Sequence, residues 1–349
     1  MGEGHTLTMR RYWLAIVQGV LSAILLWRIF GDAALRAEAS KVFLAADPSW
    51  LSGGLAAAFL AELLSAARWW LVLRAFGTPV GFMKVVMFWW AGLFLSLGLP
   101  GTGGGDAFRV LYMMRLYPRR KLRASLSILA DRLCGLVALV LAVPLSGILQ
   151  YRLFASDPSA HLLLKAASAL LGIVLLLLLL WWVTTLPGIR MRRKPWMSPT
   201  FRKRVDHLGA IFAGLSLRPR LIACAVGIAL PAFLFHCLTY WCSARSFGLP
   251  LGVGALFTVM PVIDTLITLP ITLFGLGWRE NLFQHMLGGL YGIAPATAAL
   301  ASLGGFVIQA AVALLGGLLL PFATSGKGRN GPPLSTTQGK HHAPVHHGE

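Results

Sequence analysis

The chain has 349 residues, of which 57% are hydrophobic and 12% are charged, and its formal net charge is +19. Soluble domains carry roughly 25% charged residues, so this composition excludes an ordinary soluble protein. Apolar runs such as LLGIVLLLLLLWWV (170–183) lie in segments that reach the length of about 20 residues needed to span a bilayer. We therefore predict a polytopic membrane protein. Positive-inside topology and anionic headgroups, rather than a nucleic-acid partner, account for its basic residues.

Eight long apolar segments follow one another along the chain. They lie at about 12–30, 50–75, 82–99, 125–149, 161–186, 220–243, 253–275 and 295–322, and the connections at 31–49 and 150–160 are interpreted as loops. Two shorter apolar pieces, at about 105–117 and 278–291, follow glycine-rich breaks. A helix of about 13 residues is near 20 Å long, so these pieces are too short to cross a hydrocarbon core of about 30 Å.

Segment 82–117 is either a full span followed by a surface helix or a re-entrant hairpin that enters and leaves the membrane on one side. Basic connections distinguish the two, because they face the cytoplasm. The linker 187–204 has seven basic residues and no acidic one, and 115–123 is also strongly basic. With the N-terminus inside, as Arg10 and Arg11 indicate, only the hairpin keeps both basic segments inside.

The same reasoning makes 252–291 a second hairpin, which enters from the outer side. We therefore predict an all-α membrane protein of about six full spans and two re-entrant hairpins. Both termini are expected in the cytoplasm, and the location is expected to be the bacterial inner (cell) membrane.

An internal repeat accompanies the two hairpins. RAFGTPVG (74–81) matches RSFGLPLG (245–252), and each copy continues into an LP element and an Arg nine positions after its Pro. Three crossings separate the copies, and an odd number means that they are inverted, as in many secondary transporters. We predict one membrane domain (1–325), with repeats at about 50–149 and 220–322, and a disordered, His-containing cytoplasmic tail (326–349).

Four charged residues follow the glycine breaks. Asp106 and Arg109 stand one helical turn apart after the first break, and Arg279 and Glu280 stand at the matching place in the second copy. The N-termini of short helices attract anions, so the two arginines could clamp a phosphate from opposite sides. The alternative is that these charged residues form ion pairs with each other and hold the hairpins in place.

Five further charged residues inside apolar segments are candidates for a role or a partner. Asp131 and Arg132 stand early in 125–149, and neighbours on a helix point about 100° apart, so they need not pair with each other. Arg132 either reaches the interface or contacts substrate. Asp264 either couples transport to protons or hydrogen-bonds at a helix break. Glu62 and Arg68 are each expected to find a partner on another helix, and His236 is interpreted as a core histidine.

The motifs of soluble enzymes and metal sites are missing from the sequence. GTGGGD lacks the GK[ST] ending and the preceding strand of a phosphate-binding loop. The four cysteines form no CxxC pair, and no HExxH or GxSxG motif is present. We therefore expect no catalytic residues, no cofactor and no metal ion.

Three motifs carry a resemblance. LPGTGGGDAFR (99–109), LADRLCGL (129–136) and FGLGWRE (274–280) resemble the lysylphosphatidylglycerol synthase transmembrane family over about 10–325. The resemblance implies lipid translocation, with motif positions at Asp106, Arg109, Asp131, Arg132, Arg279 and Glu280. The sequence departs from the family in having Asp-Arg at 131–132, where members often show Glu-Arg. It also lacks the soluble aminoacyl-transferase domain, so it is not expected to make lysyl-lipid itself.

These observations support two main hypotheses. The first is a flippase or transporter-like protein that moves or binds a phospholipid, a hopanoid-related lipid or a polyprenyl-phosphate-linked lipid, with the headgroup held between the hairpins. The second is a non-transporting scaffold or accessory protein of a lipid-modifying pathway. An intramembrane transferase, using Asp131 or Asp264 as base, is a third and weaker alternative. The expected partners are membrane lipids with anionic headgroups and a lipid-pathway enzyme.

Overall fold

The structure is a computed structural model that describes residues 33–98, 104–118, 121–185, 218–269 and 275–324, together with a few isolated positions outside these ranges. All regular elements within them are helices. In chain order they are α1 (Ala33–Leu44), α2 (Pro48–Ala75), α3 (Phe82–Gly98), α4 (Gly104–Leu116), α5 (Lys121–Leu149), α6 (Tyr151–Ser156), α7 (Pro158–Thr185), α8 (Pro219–Ser246), α9 (Val253–Ile267), α10 (Trp278–Tyr291) and α11 (Pro295–Thr324).

In the described part of the chain, five helices are long and apolar enough to cross a membrane. They are Pro48–Ala75, Lys121–Leu149, Pro158–Leu180, Pro219–Ser246 and Pro295–Pro321. This confirms an all-α polytopic membrane protein and agrees with five of the predicted full spans. The predicted span at 12–30, the basic linker and the tail at 326–349 lie outside the described ranges.

Two connections interpreted as loops contain helices, so that prediction was wrong. The segment 31–49 holds α1, whose sequence AALRAEASKVFL is rich in strong helix formers. The segment 150–160 holds α6, in which Phe154 is fully buried. Val42 of α1 and Phe154 of α6 pack against the bundle and stabilise the two helices.

Local sequence signals set the helix ends. A proline begins four of the long helices: α2, α7, α8 and α11. Proline suits the first helical turn because its missing N–H has no partner there. Asp47 caps α2 by accepting a hydrogen bond from the Ser49 amide at 2.8 Å. This bond and the Ser49 hydroxyl bond lower the pKa of Asp47 because they stabilise its carboxylate.

Eight of the described helices form two four-helix units with matching order, and α1, α6 and α7 lie outside these units. Unit one is α2–α3–α4–α5 and unit two is α8–α9–α10–α11. The paired helices have 28 and 28, 17 and 15, 13 and 14, and 29 and 30 residues. Contacts between the units also correspond, because α2 packs along α8, while α3 packs on α11 and α9 packs on α5.

Atomic contacts repeat in the two units. In unit one the Trp70 indole donates a hydrogen bond to the Val80 carbonyl at 3.0 Å, and in unit two Trp241 donates to Leu251 at 3.0 Å. Each bond ties the end of the first helix to the chain that enters the second. The glycine after the first helix has a positive φ in both units, which only glycine adopts readily.

The helices α2 and α8 run antiparallel. The amide of Asp47, at the start of α2, donates to the carbonyl of Ser246, at the end of α8, at 2.9 Å. At the opposite end, Arg218 donates to the carbonyl of Arg74 at 3.1 Å. The two units therefore point in opposite directions, which is the geometry of an inverted repeat.

The helices α3 and α4 form a hairpin, called hairpin one. Gly105 donates to the Ser96 hydroxyl at 3.1 Å near the tip, and a Cβ atom on Gly105 would lie 2.2 Å from the Gly92 carbonyl oxygen. At the other end, Tyr117 donates to the Pro79 carbonyl at 3.0 Å. The chain thus returns to the end from which it entered. In unit two, α9 and α10 pack together as hairpin two.

Candidate functional site

Asp106 is the centre of a charged group at the tip of hairpin one. It lies in the first turn of α4, and one carboxylate oxygen accepts a hydrogen bond from Arg109, one turn further along. The other oxygen accepts from Arg132 of α5, with Nη2 at 2.6 Å. One carboxylate therefore holds two guanidinium groups from different helices.

Arg132 is exposed although it lies deep in its helix. Its side chain is 59% exposed, while that of Asp106 is 20% exposed. Because α5 begins at Lys121 and rises 1.5 Å per residue, Arg132 lies about 16 Å along the helix. A charge at that depth is costly against lipid chains, so the exposed guanidinium either extends to the membrane interface or faces water or a polar headgroup.

Arg109 is buried, and its donors are only partly used. The guanidinium lies over the rings of Trp89, at 4.3 Å, and Trp69, at 5.2 Å. Its Nη2 bonds Asp106, whereas Nε and Nη1 have no hydrogen-bond partner among the residues that the structure describes. A buried donor without an acceptor is costly and rare. Arg109 therefore has spare hydrogen-bonding capacity beside the exposed pair.

Arg68 and Asp131 form a second ion pair that joins α2 to α5. Arg68 donates from Nε at 2.7 Å and from Nη2 at 3.3 Å to the two oxygens of Asp131. The side chains are 11% and 2% exposed. Asp131 and Arg132 thus bind different partners, as their angular separation on the helix allows.

Hairpin two repeats the aromatic setting of Arg109. The Arg279 guanidinium lies over Tyr240 at 5.8 Å and Phe306 at 5.5 Å. Tyr240 precedes Arg245 by the same number of residues as Trp69 precedes Arg74, so both aromatic partners hold equivalent places in the repeat.

Glu280 has different hydrogen-bond partners from Asp106. One of its oxygens accepts from the Gly277 amide at 2.6 Å and caps its own helix. The other accepts from Ser302 of α11 at 2.9 Å. Glu280 is 0% exposed and Arg279 is 7% exposed. The charged residues of hairpin two are therefore buried, whereas Asp106 of hairpin one, with its partner Arg132, reaches the protein surface.

Polar side chains also meet at the middle of the bundle. His236 of α8 lies 3.0 Å from Asp264 of α9, through Nε2 and Oδ2. Its other ring nitrogen, Nδ1, lies 2.8 Å from the amide nitrogen of Gln309 on α11. In the other unit, Glu62 at the midpoint of α2 accepts a hydrogen bond from the Trp89 indole at 2.8 Å.

These groups form a series across the bundle, joined by direct contacts at Arg132–Asp106–Arg109 and at His236–Asp264 and by longer-range electrostatic interactions elsewhere. Arg109 is within electrostatic range of Asp106, Asp131 and Arg132, and Glu62 is within range of Arg109 and His236. His236 in turn interacts with Asp264 and Arg279. The series runs from hairpin one to hairpin two through Arg132, Asp106, Arg109, Glu62, His236, Asp264 and Arg279.

A family profile described as the lysylphosphatidylglycerol synthase TM region matches residues 15–317, which cover unit one and all of unit two except the end of α11. The chain belongs to this family. No curated protein and no solved structure matches the chain. Membership confirms the resemblance carried by the three motifs, and it assigns the chain to membrane proteins of lipid-related function.

In this lysylphosphatidylglycerol synthase transmembrane-region protein, the seven residues singled out from the sequence fall into three places. Asp106, Arg109 and Arg132 meet at hairpin one, and Asp131 lies beside them in its pair with Arg68. Arg279 and Glu280 lie at hairpin two. Asp264 lies at the centre, bonded to His236.

Sequence reasoning missed several members of the series. His236 was interpreted as a core residue, and Glu62, Arg68 and Gln309 received no functional role. An ionisable residue within a membrane segment is itself a functional signal, and applying that rule to every such residue would have found His236 and Glu62. Within the described ranges, no three His, Cys, Asp or Glu side chains are placed to hold a metal ion.

Proposed function

We propose that this protein is a flippase or transporter-like membrane protein that binds and moves a lipid with an anionic headgroup. A phospholipid, a hopanoid-related lipid and a polyprenyl-phosphate-linked lipid are the candidate cargoes. The observation that carries the proposal is the Arg132–Asp106 pair, exposed at membrane depth beside a buried Arg109 with two unused donors.

The binding step is an exchange of acceptors. Phosphate oxygens take the place of the Asp106 carboxylate oxygens on Arg132 and Arg109, since guanidinium groups bind phosphate and carboxylate in the same planar geometry. The N-terminal end of α4 adds its partial positive charge at the same place. Asp106 holds the two arginines in position while no lipid is bound.

The translocation step uses the series of charges between the hairpins. Because α2 and α8 are antiparallel, hairpins one and two begin at opposite ends of the bundle. A headgroup that leaves Arg132 and Arg109 passes the centre and reaches Arg279, while its acyl chains stay in the bilayer. Binding sites near the midplane of an inverted repeat are a common plan of transporters.

The distribution of basic residues gives the proposed orientation. Several described basic residues lie where α2 ends, α5 begins and α8 begins: Arg74, Lys84, Arg115, Lys121, Arg123, Arg218 and Arg220. Basic segments remain in the cytoplasm. Hairpin one therefore opens to the cytoplasmic side of a bacterial inner membrane. The proposal requires no cofactor and no covalent step, and an enzyme that makes or modifies the lipid is the expected partner.

Lipid movement in proteoliposomes tests this function. We expect purified protein to move fluorescent phosphatidylglycerol between leaflets faster than protein-free liposomes do, and to move phosphatidylcholine less. A polyprenyl phosphate and an anionic hopanoid derivative complete the panel. Monodisperse protein that moves none of these lipids above the protein-free rate contradicts the proposal and supports the scaffold alternative.

A further inference from the structure

His236 lies where three helices of unit two meet at the middle of the bundle. Asp264 approaches Nε2 from α9 at 3.0 Å, and Gln309 approaches Nδ1 from α11 at 2.8 Å. The side chains of His236 and Asp264 are 28% and 13% exposed. Both ring nitrogens are therefore engaged in a largely buried place.

The two partners suit both protonation states of the imidazole. Asp264 accepts a hydrogen bond from Nε2–H in either state. The Gln309 amide can donate its NH₂ group to a bare Nδ1, or it can turn over and accept from Nδ1–H with its carbonyl oxygen. A proton can thus enter or leave Nδ1 without leaving a buried polar atom unpaired, which would be costly.

Charged residues of hairpin two and of α2 act on His236. The charged groups that act on His236 are Asp264 from α9, Glu62 from α2 and Arg279 from α10. The helix α11 contributes the uncharged Gln309, and Asp131 of α5, which also packs on α8, is held by Arg68. The net charge at the centre therefore changes by one when His236 gains a proton.

We propose that His236, Asp264 and Gln309 form a proton-binding site, and that its occupancy is coupled to headgroup movement. This inference rests on the proposed lipid transport. A phosphate that crosses the centre brings negative charge into a region of low dielectric. A proton taken from water onto Nδ1 offsets this charge during the passage, and it is released to water after the headgroup has moved on.

A pH gradient across proteoliposomes tests the coupling. With one proton per lipid, a gradient of about one pH unit shifts the distribution of an anionic lipid between leaflets about tenfold. We expect the final leaflet distribution reached with His236→Gln, at whatever rate the lipid moves, to lack this shift, because glutamine keeps hydrogen bonds but binds no proton. The matched control is His285→Gln, which changes an exposed histidine of α10 and is expected to keep the shift.

Histidine ¹⁵N spectra in nanodiscs supply a second readout that needs no transport. The His236 resonance, identified by its loss in His236→Gln, is expected to titrate and to titrate differently in Asp264→Asn. The coupling is overturned if the gradient does not shift the lipid distribution with the wild-type protein, or if His236→Gln retains the shift. Either result leaves the proposed function standing. If no lipid moves, the proposed function fails, and a His236 resonance that does not titrate overturns the proton site.

Discussion

Replacing Arg132 by glutamine is expected to slow the movement of an anionic lipid about tenfold to a hundredfold. A hydrogen bond to a charged group contributes about 1.5–3 kcal/mol, and each 1.4 kcal/mol corresponds to about tenfold in binding. Because Arg132 is 59% exposed and Asp106 keeps its bond to Arg109, the change leaves no buried charge alone. The rate of phosphatidylglycerol movement in proteoliposomes measures the effect.

Two further variants distinguish a specific role of Arg132 from the effect of losing any one positive charge. Arg123→Gln removes an exposed arginine from the same helix near its start, and we expect it to retain the wild-type rate. Arg132→Lys keeps the charge but loses the planar fork, so an intermediate rate is expected. A wild-type rate in Arg132→Gln would contradict a role for this side chain in headgroup binding.

Replacing Arg68 by methionine is expected to lower the free energy of unfolding by about 3–5 kcal/mol, because it leaves the carboxylate of Asp131 buried without its partner. Asp131 is 2% exposed at the side chain, so water cannot replace the guanidinium. The pair also joins α2 to α5, so the loss extends to contacts between those helices. Thermal unfolding in detergent, followed by the loss of monodisperse protein on heating, measures the effect.

The double variant Arg68→Met with Asp131→Leu is expected to recover most of that loss, since apolar residues of similar volume often replace a buried ion pair without harm. Arg220→Met changes an exposed arginine and serves as the control for losing one positive charge. Equal unfolding temperatures for Arg68→Met and Arg220→Met would show that the pair contributes nothing to stability.

Both hairpins could be placed from the sequence because chain breaks and basic segments constrain them. Segment 82–117 corresponds to α3 and α4, of which α4 ends at Leu116. Segment 252–291 corresponds to α9 and α10, of which α10 ends at Tyr291. Helix propensity alone would not have separated a hairpin from a span followed by a surface helix. The distribution of basic residues did so.

The contacts within the site could not be predicted in the same way. Arg68 and Asp131 are 63 positions apart, and their pairing depends on how α2 and α5 are rotated against each other. Membrane helices are apolar on most faces, so periodicity gives little information about rotation. For the same reason the sequence did not show that His236 faces Asp264 rather than an apolar neighbour.

The unequal exposure of the charged side chains in the two hairpins also depends on tertiary contacts. The sequence presents an acidic residue and an arginine after each glycine break, and the simplest expectation is two equivalent clamps. In the structure Glu280 caps its own helix and binds Ser302, whereas Asp106 is shared by two arginines. The difference arises from Arg132 on α5, since α11, the corresponding helix of unit two, contains no charged residue.

The central claim is that the two hairpins enter the membrane from opposite faces, since a headgroup route between them depends on it. Cysteine labelling at Arg115 and Ala294, both exposed near the ends of the returning helices, tests this directly in a chain whose four native cysteines are replaced. We predict that an impermeant maleimide labels Arg115→Cys only from the cytoplasmic side and Ala294→Cys only from the outer side. Labelling of both positions from the same side would contradict the account.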